Sequence, residues 1–70
     1  MNKLPNLKRK RKEKGYSRKQ MAEKLGVSIH SYEAYEKGVR NPLLETTLKI
    51  LNVLDCKMEE LTKDNNLKED

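Results

Sequence analysis

The stretch "SRKQMAEKLGVSIHSYEAYEKG", residues 17–38, decides the fold of this chain. It contains two runs of helix-forming residues, and each run ends at a glycine, which readily takes the left-handed conformation found just after a helix. A serine precedes each run, where its hydroxyl can cap the first helical turn. The stretch therefore predicts two short helices, over about residues 18–25 and 29–37, joined by a tight turn.

The same start and stop signals predict three more helices. The first covers about residues 6–14 and also ends at a glycine. Another has Asn41 as its cap and Pro42 at its first helical position, and it ends near Leu54. A last short helix covers about residues 57–62. No alternating pattern typical of strands is present, so the chain is predicted to be all-α, a compact five-helix bundle.

Apolar residues with helical spacing predict one small core within a domain that covers residues 1–62. Residues 63–70 have no such spacing and are expected to form a short polar tail. The expected core residues are Leu4, Leu7, Met21, Ala22, Leu25, Val27, Tyr32, Tyr35, Leu44, Ile50, Leu51, Leu54, Met58 and Leu61.

The charge is unevenly distributed along the 70-residue chain. Residues 1–40 contain 12 Lys and Arg against 4 acidic residues, whereas residues 41–70 contain 4 against 7, which gives the net charge of +5. A basic half suggests an anionic partner, with nucleic acid as the first candidate. A solvated charged surface explains the charge alone equally well, and this applies most to the run "KRKRKEK" at 8–14.

Several other classes of protein receive no support from the composition. One cysteine and one histidine allow no internal disulfide and make a metal site built from this chain unlikely. No apolar run is long enough to span a bilayer, so we expect a cytoplasmic protein without membrane contacts. A phosphate-binding loop and a nucleophile–base pair are also missing from the pattern, so we expect neither an enzyme nor a cofactor.

The turn at residues 26–28 has the length of the connection in a helix-turn-helix motif. Ala22 is small, as the helix crossing requires, and Gly26 can take the turn conformation that other residues resist. Val27 can fill the gap beneath the turn. The second helix would then project from the body, with its N-terminal end able to enter a major groove.

Over about residues 4–62 the sequence resembles the Cro and phage-repressor type of helix-turn-helix domain. The resemblance is carried by "SRKQMAEKLGVS", by "YEKGVRNP" and by "LLETTLKILNVLDCKMEEL". It implies a five-helix domain, usually dimeric, that binds double-stranded DNA and regulates transcription in bacteria, phages or mobile elements. A repressor that occupies an operator is the expected role.

The resemblance also implies roles for individual residues. Those expected to face the bases are Ile29, His30, Glu33 and Ala34. Those expected to face phosphates are Ser17, Arg18, Ser28, Ser31, Lys37, Arg40 and Asn41. Relatives often have glutamine at the position of Arg18. An ion pair between Arg11 and Glu36 would tie the first helix to the third. Independently of the resemblance, the fourth helix is apolar on more than one face, which suggests a homodimer interface at Leu43, Leu48, Cys56 or Met58.

Alternatives remain for these assignments. His30 alone is more often an ordinary surface histidine, and the exposed leucines of the fourth helix are tolerated singly in many proteins. Tyr32 and Tyr35 are expected in the core rather than stacked on bases. At the level of function, the alternatives are a protein-interaction module, such as an antitoxin that binds its toxin, and a nonspecific binder of RNA or anionic surfaces.

Overall fold

The computed structural model describes residues 4–63, which form five helices and no strand. This confirms the predicted all-α class. The helices are α1 (Leu7–Lys14), α2 (Arg18–Leu25), α3 (Ile29–Lys37), α4 (Leu44–Leu54) and α5 (Met58–Thr62). Apart from Lys63, the predicted polar tail lies outside the described residues.

The two central helices begin and end as their capping signals predict. The Ser17 hydroxyl accepts the Gln20 amide N–H at 3.0 Å, and the Gln20 side chain accepts the Ser17 N–H at 2.8 Å. This reciprocal pair satisfies two amide groups that have no partner inside α2. Ser28 caps α3 by accepting the Ser31 amide at 3.1 Å. Gly26 has φ of +73°, so it takes the left-handed conformation that ends α2 and opens the turn.

The predicted start of the fourth helix is wrong. Neither Asn41 as its cap nor Pro42 at its first position is found, because α4 begins at Leu44, with Leu43 at the cap in an extended conformation. The Leu43 carbonyl accepts both the amide and the hydroxyl of Thr47, at 2.8 and 3.0 Å. The first helical hydrogen bond of α4 is therefore accepted by Leu43 and not by Asn41, the predicted cap.

The core is close to the predicted set, with two corrections. Leu44 is 75% exposed, because the buried face of α4 runs through Thr47, Ile50 and Leu54 instead. Met58 is 43% exposed at the start of α5. The buried apolar residues are Leu4, Leu7, Met21, Ala22, Leu25, Tyr32, Tyr35, Ile50, Leu54 and Leu61, with Val27 and Leu51 packed at the margin.

The first and last helices are joined by polar contacts. The Asn6 side chain donates to the carbonyls of Glu60 and Lys63, and its backbone N–H donates to the Leu61 carbonyl at 3.2 Å. The Lys10 ammonium lies 2.9 Å from the Glu60 carboxylate. Because carbonyls at a helix end have no partner inside the helix, the Asn6 amide supplies what α5 lacks.

Candidate nucleic-acid interface

Helices α2 and α3 pack against each other around the three-residue turn that the sequence predicts. Ala22 is buried at their crossing, and its carbonyl accepts the Val27 amide at 3.0 Å. Tyr32 and Tyr35 are both buried on the inner side of α3, as predicted, with ring centroids 6.4 Å apart and an edge-to-face angle of 81°. This aromatic packing fixes the rotation of α3 about its axis and so determines which side chains face outward.

The four residues expected to face bases lie on the opposite side of α3 from the tyrosines. They form two adjacent pairs, and the second pair follows the first by four residues, which is about one helical turn, so all four lie on one face of the helix. The exposed fraction is greatest at the N-terminal end, where Ile29 and His30 lie on the surface, while Glu33 and Ala34 are half-buried. The outward face of α3 is therefore most exposed at its N-terminal end, which is the end that would enter a major groove.

Three of the residues expected to face phosphates contact one another at the start of α3. The Arg40 guanidinium donates to the Ser31 hydroxyl oxygen at 2.9 Å, and the Ser28 hydroxyl donates to the same oxygen at 3.1 Å. No local sequence pattern predicts this cluster, because Arg40 is nine residues from Ser31 and lies beyond the end of α3. The contacts hold the guanidinium of a loop residue beside the first turn of α3.

Arg11 and Glu36 form a buried ion pair between α1 and α3. The Arg11 Nε lies 2.6 Å from the Glu36 Oε2, and their side chains are only 7% and 4% exposed. Arg11 also donates to the Tyr16 carbonyl at 2.8 Å. The pair thus connects α1, the loop before α2, and the last turn of α3.

Glu36 has a second arginine partner that sequence reasoning missed. Its Oε1 lies 3.2 Å from the Nε of Arg18, the first residue of α2. Burial alone would raise the pKa of Glu36, but the Arg11 guanidinium, with help from Tyr32 and Arg18, brings that pKa below its usual value. The Tyr32 hydroxyl is buried without a hydrogen bond of ordinary geometry. Its burial, and then the neighbouring Glu36 carboxylate, raise the pKa of Tyr32.

Acid should weaken the fold as Glu36 becomes protonated. A carboxyl whose pKa is lower in the folded state stabilises the fold above its unfolded pKa, and this stabilisation is lost as pH falls through the folded value. We therefore expect the unfolding temperature to decrease once the pH is lowered past about 4.5, which is the ordinary pKa of a glutamate. Thermal unfolding followed by circular dichroism at a series of pH values measures this effect.

The control for acid unfolding is Glu60, whose pKa is lowered by the Lys10 side chain at an exposed site. Glu36→Gln should remove much of the difference in unfolding temperature between neutral and acidic pH, whereas Glu60→Gln should remove little. Equal losses in the two variants would show that the buried pair is not the main acid-sensitive site.

The other predicted site residues lie outside these two clusters. Lys37 and Asn41 are exposed, and Ser17 is engaged in its helix cap. The positions expected at a dimer interface are the exposed Leu43, Leu48 and Met58 and the half-buried Cys56. The structure adds Val39 and Leu44 to this exposed apolar group, at 77% and 75% exposed.

Among residues 4–63, no cluster of three potential metal ligands is found. None of the helices in this range has the length and hydropathy needed to cross a bilayer.

Comparison with known proteins places this architecture in a family. Residues 7–61 match the family described as Helix-turn-helix. The uncharacterized HTH-type transcriptional regulator YqaE of Bacillus subtilis is 43% identical over 58 residues, which cover 83% of this chain and 50% of YqaE. The cryptic phage CTXphi transcriptional repressor RstR of Vibrio cholerae is 40% identical over 42 residues, which cover 60% of this chain and 38% of RstR.

A solved structure gives the same result. The N-terminal DNA-binding domain of SinR from Bacillus subtilis superposes with a TM-score of 0.73 and 34% identity, covering 86% of this chain and 88% of that domain. The chain spans about half the length, or less, of the curated relatives described above. The chain belongs to the helix-turn-helix family of the Cro and phage-repressor type.

Proposed function

We propose that this protein is a sequence-specific regulator of transcription that inserts α3 into the major groove of double-stranded DNA. The observation that carries the proposal is the orientation of α3. Its tyrosines are buried, so Ile29 and His30 lie at the open end of a rigid helix-turn-helix. The relatives named as a transcriptional regulator and as a phage transcriptional repressor support this function, and the second of them supports repression. We propose that the protein acts in the cytoplasm of a bacterium.

The chemistry of the outward face suits the edges of base pairs. Ile29 and Ala34 can pack against thymine methyl groups, because apolar contact distinguishes thymine in the major groove. His30 can donate to a guanine acceptor, and Glu33 can accept from the amino group of cytosine. Phosphate contacts would be made by the residues around this face, which we propose to be Ser17, Arg18, Ser28, Ser31, Lys37, Arg40 and Asn41.

We further propose that the regulator binds as a homodimer. The exposed apolar side chains Leu43, Leu44, Leu48 and Met58 are the surface that a second copy would cover, together with the half-buried Cys56. A small domain gains from removing such side chains from water. In a two-fold dimer the two copies of α3 would lie about 34 Å apart, which is one turn of the DNA helix.

The proposal is tested by selecting binding sites from a pool of random duplexes at about 0.15 M salt, where nonspecific phosphate binding is weak. A palindromic motif with half-sites about one helical turn apart is expected. A motif without symmetry would contradict the dimer alone. Recovery of no motif would contradict operator binding and favour a protein partner, such as a toxin, or nonspecific binding through the basic half.

Two variants then distinguish sequence-specific base contacts from nonspecific electrostatic binding to DNA. Lys37→Ala should weaken binding to all duplexes by a similar factor, because it removes a charge that faces phosphates. His30→Ala should instead change which base is preferred at one position of the motif. Identical motifs from the wild type and His30→Ala would remove His30 from the set of base-reading residues.

A further inference from the structure

The Glu36 carboxylate lies between two arginines that differ in exposure. Its Oε2 accepts from Arg11 at 2.6 Å, and its Oε1 accepts from Arg18 at 3.2 Å. The Arg11 side chain is 7% exposed, whereas the Arg18 side chain is 44% exposed. Two guanidinium groups and one carboxylate leave one positive charge in excess, and the accessible member of the group is Arg18.

Arg18 contacts Glu36 through only one part of its guanidinium. Within residues 4–63, its side-chain hydrogen bond is made by Nε, and its terminal amino groups make none. A guanidinium is planar and carries five N–H donors in a fixed arrangement, so holding Nε also orients the two terminal amino groups. Those groups can donate to a second anion while Nε stays bonded to the carboxylate.

We propose that Glu36 is a positioning residue that holds Arg18 so that the terminal amino groups of its guanidinium bind a DNA phosphate. Glu36 thereby joins the first residue of α2, the buried Arg11 and the last turn of α3 into one unit. The inference rests on the proposed function and deepens it. A glutamine has no guanidinium fork with which to bind a carboxylate and a phosphate together.

A fixed guanidinium should bind phosphate more tightly than a mobile one. An unrestrained arginine loses rotamer freedom when it binds, and this loss weakens the contact. A side chain held beforehand by Glu36 has already lost much of that freedom. Loss of the positioning contact is therefore expected to weaken DNA binding by about 3- to 10-fold.

The test compares Arg18→Lys with Arg18→Gln by fluorescence anisotropy on a labelled mixed-sequence duplex of about 20 base pairs, over a series of salt concentrations. Lysine keeps the charge, but its compact ammonium cannot bridge carboxylate and phosphate as a planar fork does. Each variant is compared with the wild type by its loss of binding free energy. We expect the loss in Arg18→Lys to be at least half of the loss in Arg18→Gln. Arg18→Gln should also reduce the salt dependence by about one phosphate contact.

Arg9→Lys is the matched control, because Arg9 is an exposed arginine that also pairs with a glutamate, at 2.9 Å from Glu13. It should bind like the wild type. If Arg18→Lys also binds like the wild type, Arg18 acts only as a charge and the inference is overturned. If the wild type itself binds no duplex, both the inference and the proposed function fail. If the wild type binds duplexes but selects no motif, only the claim of sequence-specific binding is contradicted, and the inference about Arg18 and Glu36 is still tested by these variants.

A double-mutant cycle tests the role of Glu36 itself. Glu36→Gln should weaken binding by about 3- to 10-fold in the wild type but have little further effect in the Arg18→Gln background. An equal loss in both backgrounds would show that Glu36 acts without Arg18 and would overturn the inference. Circular dichroism shows whether Glu36→Gln is folded, and if it is not, the comparison of Arg18→Lys with Arg9→Lys decides the question.

Discussion

Replacing Arg11 with methionine is expected to lower the free energy of unfolding by about 3–5 kcal/mol. Methionine can fill much of the space of the arginine stem, but it leaves the Glu36 carboxylate buried without its shorter ion pair. Arg18 offers only partial compensation, because it is half-exposed and lies farther from the carboxylate. Since small domains are typically stable by only about 5–15 kcal/mol, this single change should leave the fold marginal. Urea unfolding followed by circular dichroism measures the loss.

Arg9→Met provides the control for this prediction. Arg9 pairs with Glu13 on the same helix, but both side chains are about half exposed. Breaking such a surface pair should change the free energy of unfolding by no more than about 1 kcal/mol. The variant with both Arg11→Met and Glu36→Leu should regain much of the stability lost in Arg11→Met, because no buried charge remains. Similar small losses in Arg9→Met and Arg11→Met would contradict the structural role of the buried pair.

Replacing His30 with glutamate is expected to weaken operator binding on the order of 100-fold or more, because a negative charge would face the DNA. The side chain is exposed in the first turn of α3, so the substitution disturbs no core contact. A glutamate at this end of a helix is favoured by the helix dipole, so the fold should be as stable as the wild type or slightly more stable. Binding to the selected duplex and thermal unfolding are both measured.

Asn52→Glu is the matched control, because it adds the same charge at an exposed position on α4. It should weaken binding only slightly, through the lower overall charge of the protein. If His30→Glu weakened binding no more than Asn52→Glu, the N-terminal end of α3 would not be close to the DNA. The proposed docking of α3 in the major groove would then be wrong.

The sequence predicted the helix-turn-helix well because its signals are local. Ser17 and Gln20 cap α2 across a single turn, and Ser28 caps α3 in the same way. A glycine ends each helix. These contacts join residues close together in the chain, so the order of residue types is enough to predict them. The burial of both tyrosines followed from their spacing for the same reason.

The errors and omissions involve contacts that local patterns do not encode. The start of α4 was misplaced because Asn41 and Pro42 lie in the loop before the helix, and the first helical hydrogen bond runs from the Thr47 amide to the Leu43 carbonyl. The contact between Arg18 and Glu36 joins residues 18 positions apart on different helices, and no spacing rule predicts such a contact. The exposure of Leu44 depends on the rotation of α4 against the core, which buries the face of Thr47, Ile50 and Leu54 instead.

The division of α3 into a buried aromatic side and an exposed outward side has an evolutionary consequence for the proposed function. Tyr32 and Tyr35 belong to the buried core, whereas Ile29 and His30 are exposed and contribute little to it. Under the proposed function, substitutions at these exposed positions should change the preferred base without a large loss of stability, since surface changes usually alter stability by no more than about 0.5 kcal/mol. We therefore expect that one scaffold could acquire new operators by successive single substitutions, with a folded protein at every step.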